Sequence, residues 1–436
     1  MDLQTHKTLE ALPAIFIMVG GPSGVGKTAI LDALISQHPR SYQRPRSFTT
    51  RQRRTEESEQ EYSFVTRQAL AELFAQGRVL RLDEAYGNQY AISRESIDQF
   101  QRLGICPVKE IHPSNQRLVA ACVPMEVMSV LVLPLRSAER GTIQRDLDRQ
   151  QQDDVFFGTL DSSSYDLVFR VDTSIPLSAI AASLHVAIQT ERLARKLPIP
   201  DSGQARKGYD TIAPEFKDSL RITTANFHDL SSPFLQKALD SLPPTAASCL
   251  EVGAGGGWAR SALKWPILQY IAFDISHRML LDQNSERRVV GDCDKLPFRT
   301  SAFDVVLASL ADPFCHPRAL AEIRRVLTRG GWLILTCPAN EWARLLRRSE
   351  EESVTTFLMS DRSPVTVPSI TYSLEALCNL LTFCGFNVLE SQRATSSELP
   401  SSHTVSSAIS SVLRTNMRLP LVNLAIATPG LKLEVL

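Results

Sequence analysis

Long apolar runs are missing from this 436-residue chain: the longest, around Ala14–Val19 and Val127–Leu135, fall well short of the ~20 residues that cross a bilayer. Residues 1–12 lack the basic and apolar regions of a secretion signal. Net charge is also missing. Forty-seven Lys and Arg balance 47 Asp and Glu, so no global field draws the chain to nucleic acid or a membrane. The eight cysteines (Cys106, Cys122, Cys249, Cys293, Cys315, Cys337, Cys378 and Cys384) contain no C-x-x-C pair, which argues for reduced thiols rather than a disulfide framework. No internal repeat is present. These absences predict a soluble, cytoplasmic protein whose partners are small molecules. Oligomeric state is not legible. With 43% hydrophobic and 22% charged residues, the chain can bury at least two cores.

The strongest positive signal is Gly21-Pro22-Ser23-Gly24-Val25-Gly26-Lys27-Thr28, which fits G-x-x-x-x-G-K-[ST] and follows the apolar strand-like run Ala14–Val19. Gly21, Gly24 and Gly26 let the backbone turn so that successive N–H groups, Ser23 included, point at phosphate oxygens. The helix expected over Lys27–Gln37 adds its positive end. Lys27 then reaches the β- and γ-phosphates of ATP, and Thr28 holds Mg²⁺.

Downstream, Ser47-Phe48-Thr49-Thr50-Arg51, then Arg53-Arg54, Glu56 and Glu61-Tyr62-Ser63-Phe64-Val65, and finally Gly87-Asn88-Gln89-Tyr90 follow in order. From Gly21 to about His185 the chain resembles guanylate kinases. The resemblance implies that Ser47, Arg51, Arg54, Tyr62 and Tyr90 grip the phosphate of an acceptor monophosphate. Arg40, Arg44, Arg46, Arg51, Arg53 and Arg54 crowd this stretch, and planar guanidinium forks suit phosphate. Arg136, Arg140, Arg145 and Arg149 resemble the lid arginines that clamp the transferring group, on a shorter lid than the family's.

Three positions depart from that family. Arg81 stands where it has the glutamate that pairs with guanine, Ile92 where it has a hydroxyl residue, and His112 where it has an aspartate. An arginine offers donors and no acceptor, so it cannot pair with the N1–H and exocyclic amine of guanine. GMP specificity is therefore not expected. The similar sugar-phosphate kinases of phosphonate breakdown offer another acceptor class, with Glu110 a further acceptor-pocket residue.

Leu250-Glu251-Val252-Gly253-Ala254-Gly255-Gly256-Gly257 is a second strand followed by a glycine-rich turn, but Trp258 spoils a dinucleotide fingerprint. Tyr270–Ser276, Gly291–Phe298, Phe303–Ala308 and Glu322–Trp332 follow at suitable intervals. Together the five segments resemble class I S-adenosylmethionine-dependent methyltransferases of the small-molecule branch. This implies that Asp274 accepts the ribose hydroxyls, Asp292 the adenine amine, and Glu251, Gly253, Gly255 and Gly257 border the methionine part. His316 or Asp312, after the fourth strand, could deprotonate the methyl acceptor. No cluster of metal ligands argues for metal-dependent methyl transfer.

The sequence thus predicts an α/β protein: a P-loop NTPase domain of guanylate kinase type over 1–196, a linker over 197–204, and a Rossmann-like methyltransferase domain over 205–436. Its cofactors are ATP, Mg²⁺ and S-adenosylmethionine. Both activities would serve one pathway, unless the first domain only binds nucleotide and regulates the second. Leu421–Thr428 reads as a final antiparallel strand, and serine-rich Ser396–Ser411 as a mobile loop or cap.

Overall fold

The computed structural model describes residues 12–53, 62–85, 87–134, 155–172, 174–197, 200–216, 221–264, 269–281, 287–311, 315–347, 353–399, 404–413 and 418–430, without the side chains of 81–85, 163, 412 and 413. It divides into two compact units, Leu12–Ile188 and Gln189–Lys432. The division falls inside the helix Leu177–Ala194, ahead of the proline-bearing stretch 197–204. The linker read over 197–204 is therefore shorter than expected: Asp201 accepts from Gly203 N (2.8 Å) and Gln204 N (3.1 Å), capping a helix Ser202–Ile212.

In the first unit β1 (Phe16–Gly20), β2 (Tyr42–Gln43), β7 (Cys106–Glu110), β8 (Val127–Pro134) and β9 (Leu167–Val171) form a parallel sheet in the order β2-β7-β1-β8-β9. Every residue of β1 is buried because alternate side chains feed two cores. Ile17 and Val19 join Ile30, Leu31, Leu34, Leu184 and Ile188, whereas Phe16 and Met18 join Ile92, Ile97 and Val119. Each such side chain contributes roughly 1.5–3 kcal/mol by leaving water. A second sheet, β4-β3-β6-β5, comprises β3 (Ser47–Thr49), β4 (Tyr62–Phe64), β5 (Val79–Ala85) and β6 (Asn88–Ser93).

The second unit holds a seven-stranded sheet, β12-β11-β10-β13-β14-β18-β17. Its strands are β10 (Ser248–Val252), β11 (Gln269–Asp274), β12 (Arg288–Val290), β13 (Phe303–Ser309), β14 (Leu327–Pro338), β17 (Phe386–Thr395) and β18 (Pro420–Pro429). The first five run parallel, and β18 lies antiparallel to both β14 and β17. The strand order reverses at β10, whose neighbours are β11 and β13, so a crevice forms outside the carboxyl end of β10. A separate hairpin pairs β15 (Val354–Leu358) with β16 (Pro364–Pro368). The serine-rich segment is ordered where it is described. Ser396–Glu398 is a 3₁₀ turn with a capping box, Ser407–Leu413 is a helix, and Ser396 and Ser406 are buried.

Candidate active sites

In the first unit the chain leaves β1 through Gly21–Gly26 and starts the helix Lys27–Gln37 where the motif predicts it. Gly21 (φ 151°) is obligatory, because a Cβ there would stand 2.2 Å from the Val132 carbonyl oxygen. Gly24 and Gly26 are left-handed, at φ 81° and 87°. Lys27 reaches back over the loop, its Nζ donating to Gly21 O (2.8 Å) and Pro22 O (2.7 Å), and Thr28 is exposed beside it. A helix N-terminus, a glycine turn and one ammonium, with no acidic side chain in the loop, form an anion cradle. That donor set fits the phosphates of ATP, with the Thr28 hydroxyl available to Mg²⁺.

The second sheet gathers the acceptor-phosphate candidates by register. Thr49 pairs with Tyr90 and Ser47 with Tyr62, which brings the two tyrosine rings to 6.3 Å, edge to face. The Arg51 guanidinium lies 5.9 Å from the Tyr62 ring centroid. Ser47 is buried, and its hydroxyl donates to Pro45 O (3.0 Å). Lys109, absent from the sequence reading, is buried beneath this cluster. Its Nζ donates to the Tyr62 hydroxyl (3.0 Å) and lies 4.2 Å from that ring. The legible signal was a lysine inside the otherwise buried strand Cys106–Glu110.

Glu110 ends β7 at the carboxyl edge of the parallel sheet, 3.5 Å from Arg44 Nη1. Arg44 also donates to Asp32 Oδ1 (2.9 Å) and to the Thr28 carbonyl (3.3 Å), tying the acceptor side to the phosphate loop. Two of the three guanine-side positions have structural partners of their own. Ile92 is fully buried in the core with Phe16 and Met18, on the same face of β6 as Tyr90, which packs against that core from its edge. His112 is exposed and caps the turn Pro113–Asn115, with Nδ1 2.8 Å from Ser114 Oγ. Arg54, Arg140 and Arg145, and the side chain of Arg81, lie outside the described residues, as does Asp312 of the second unit.

The second unit contains a cavity of about 1220 Å³ at the end of β10, lined by Glu251, Gly253–Gly257 and Asp274. Gly253, Gly255 and Gly257 all have positive φ (69°, 50° and 85°), so the turn bends without clashing Cβ atoms. Asp274 closes it from β11. Its Oδ2 accepts from Gly255 N (3.0 Å) and its Oδ1 from Ser276 N (2.8 Å). Burial pushes the Asp274 carboxyl up to about 6, against the opposing pull of those amide hydrogen bonds. Burial likewise pushes Glu251 up to about 7, although Tyr270 donates its hydroxyl to that carboxyl. Two buried acids and a ring of glycine amides fit a cationic cofactor bearing vicinal hydroxyls, the chemistry of S-adenosylmethionine.

The far side of the cavity is apolar and aromatic. Phe227 and Trp342 meet edge to face at 5.8 Å, Phe216 and Phe357 at 5.8 Å, and His228 stacks on Trp258 at 4.0 Å. Tyr209 lines it too, and the neighbouring Asp210 accepts from the Ser276 hydroxyl (2.6 Å), which docks the opening helix of this unit against the Asp274 loop.

Asp292 and His316 are placed elsewhere. Neither lines this cavity; both line a hollow of about 20 Å³ that shares Tyr209 and Ile275 with it. The Asp292 side chain accepts from Asp294 N (3.0 Å) and caps the turn Cys293–Lys295. His316 is 2% exposed at the start of the helix Pro317–Val326, with Nε2 3.1 Å from Asp294 Oδ1. A buried ring outside the cavity cannot touch an acceptor bound there, so the general-base role read for His316 loses its geometric basis. The fold also gathers Cys293, Asp294 and His316, contrary to the expectation of no ligand cluster. His316 follows Asp294 by 22 positions, a spacing that carries no sequence signal.

Among the described residues no helix is long and apolar enough to cross a membrane. The sequence matches the guanylate kinase family over residues 14–155 and the methyltransferase domain family over residues 250–335. A guanylate kinase of Trichormus variabilis is 35% identical over 136 residues, covering 31% of this chain and 68% of the relative; for one from a Nostoc species, also 35% identical, the shares are 27% and 59%. A malonyl-[acyl-carrier protein] O-methyltransferase of Herminiimonas arsenicoxydans is 37% identical over 101 residues, 22% of this chain and 39% of that protein. A solved guanylate kinase from Anaplasma phagocytophilum superposes on 42% of this chain and 88% of its own, with 19% identity and a TM-score of 0.33. Phosphate loop, acceptor cluster and β10 crevice thus coincide with the two matched regions. The chain belongs to the guanylate kinase family through its first unit and carries a methyltransferase domain in its second.

Proposed function

We propose that the protein is bifunctional: ATP-dependent phosphorylation of a nucleoside or sugar monophosphate other than GMP in the first unit, and S-adenosylmethionine-dependent methylation of a small molecule of the same pathway in the second. The observation that carries this reading is that each glycine loop is joined to its own binding apparatus. Arg44 links the phosphate loop to Glu110, and Asp274 closes the Gly253–Gly257 turn at the mouth of a cavity.

In the first unit Lys27 neutralises charge on the departing phosphoryl group, while Arg51, Tyr62 and Tyr90 hold the acceptor phosphate. Lys109 holds the Tyr62 hydroxyl in place and adds positive charge behind it. In the second unit the bound cofactor supplies an electrophilic methyl group. Asp274 fixes its ribose, and the aromatic wall of Phe216, Phe227, Trp342 and Phe357 excludes water around the acceptor. His228, which does line this cavity, replaces His316 as the candidate proton acceptor. Small-molecule partners suit both sites.

The test is incubation of the full chain with Mg-ATP and methyl-labelled S-adenosylmethionine against a panel of nucleoside and sugar monophosphates. Phosphorylation of one class together with label transfer supports the proposal. Nucleotide binding without ADP release, with methyl transfer intact, would instead make the first unit a regulatory module.

A further inference from the structure

We infer that Cys293, Asp294 and His316 form a site for a borderline divalent cation of the zinc class, outside both active sites. The His316 Nε2 to Asp294 Oδ1 distance is 3.1 Å and the Cys293 Sγ to Asp294 Oδ1 distance is 3.9 Å, and all three ligand atoms lie within 4.8 Å of one another. Zinc bonds of ~2.0–2.3 Å at tetrahedral angles require ligand-to-ligand edges of roughly 3.3–3.8 Å, so the two measured edges stand just outside that range, one short and one long, and small side-chain rotations bring all three ligands to it. Thiolate with imidazole selects zinc-like ions and argues against Mg²⁺ and Ca²⁺, which take oxygen ligands.

Charge and burial point the same way. Cys293 is 3% exposed and His316 is 2% exposed. One thiolate, one carboxylate and one neutral imidazole cancel a 2+ charge, so the loaded site is neutral in a region where an unpaired charge would be costly. Binding releases the Cys293 thiol proton to solvent while the sulfur–metal bond forms. His316 presents Nε2 to the Asp294 carboxylate, while its Nδ1 is buried with no hydrogen-bond partner among the described residues. The hollow of about 20 Å³ against Cys293, His316 and Asp292 has room for one water, the fourth ligand of a three-residue zinc site. Arg318 pairs with Glu191 Oε1 (3.0 Å), and among the described residues no ion pair joins it to Asp294.

The metal would clip the turn Cys293–Lys295 to the start of the helix Pro317–Val326, fixing the strand end that carries Asp292. This inference does not rest on either proposed activity. The full chain, stripped with a chelator, is titrated with Zn²⁺ against a chromophoric competitor and separately with Co²⁺. One equivalent of zinc, together with a thiolate-to-cobalt charge-transfer band, is expected. Cys293→Ser should abolish the band and weaken zinc binding on the order of 10²-fold or more, and His316→Ala should weaken it similarly. Cys122→Ser, at an exposed thiol of the other unit, should change neither. Absence of a thiolate–cobalt band in the wild-type chain overturns the assignment without recourse to any variant, and so does zinc affinity unchanged in Cys293→Ser.

Discussion

The two units use one backbone device for opposite electrostatic ends. Each runs a buried strand into a glycine turn and then a helix, yet Gly21–Thr28 contains a lysine and no acid, whereas Gly253–Gly257 is flanked by the buried acids Glu251 and Asp274. Backbone amides alone suit an anion in either place. What separates the sites is the side chain at the loop's edge: Lys27 completes an anion cradle, and Asp274, by accepting from Gly255 N, consumes one of those amides and offers acceptor oxygens instead. A strand–glycine–helix signature therefore identifies a ligand cradle, and the sign of the ligand is read from the flanking charges.

The largest expected effect tests the acceptor side of the first loop. With Ile92 in the core and His112 capping a turn, GMP should be used on the order of 10⁴-fold less efficiently than the best acceptor, because a buried base whose donors stay unpaired is strongly rejected. Comparable kcat/KM for GMP would sink this reading and return the first unit to ordinary guanylate kinase specificity.

Removing the cation of the first loop comes next. Lys27→Ala should lower ATP-dependent phosphorylation about 10²–10³-fold, the usual loss when one charge-stabilising donor is removed, and leave S-adenosylmethionine affinity alone. ADP release measured beside calorimetric cofactor binding checks both halves, and undiminished turnover would remove Lys27 from the mechanism.

The mirror experiment removes the acid of the second loop. Asp274→Ala should raise the dissociation constants for S-adenosylmethionine and S-adenosylhomocysteine at least about tenfold, since charge-assisted hydrogen bonds are each worth ~1.5–3 kcal/mol. Asp274→Asn should be milder, and ATP binding should not change. Equal affinity in the folded Ala variant would place the ribose elsewhere.

A smaller effect follows from protonation. The Asp274 carboxyl is pushed up to about 6, so it ionises only above that value. Cofactor affinity should tighten several-fold when pH rises from one unit below to two units above. A flat profile in the wild type, or the same slope in Asp274→Asn, counts against the carboxylate as the ribose acceptor.

The smallest effect concerns stability. Burial raises Glu251 from 4.5 to about 7, so the folded state binds its proton more tightly than the unfolded chain. That contribution is complete below 4.5 and is lost as pH rises through about 7. Thermal unfolding should therefore show a stability decline across this window that is smaller in Glu251→Gln, where only the Asp274 part, lost by about pH 6, remains. An identical decline in the variant would assign it to other groups.

Much of the fold was legible because its signals are local. The Lys27–Gln37 helix and the final antiparallel strand over Leu421–Thr428 follow from local patterning and turn chemistry. What escaped depends on contacts between distant segments. The sequence could not say that Ile92 faces the core, that Lys109 sits under Tyr62, or that the serine-rich stretch folds into a turn and a helix.

The sequence by itself determined the two glycine cradles, the residues that flank them and the α/β order of the units, since each rests on spacing within a few dozen residues. Only the tertiary structure decided which candidates share a site. Strand register set Tyr62 against Tyr90, the crevice at the end of β10 took in Asp274 and left out His316, and chain packing joined Cys293 and Asp294 to a histidine from another segment. The physical reason is that binding and ligation depend on distances of a few ångströms, and for residues far apart in the chain those distances are fixed by core packing rather than by sequence separation.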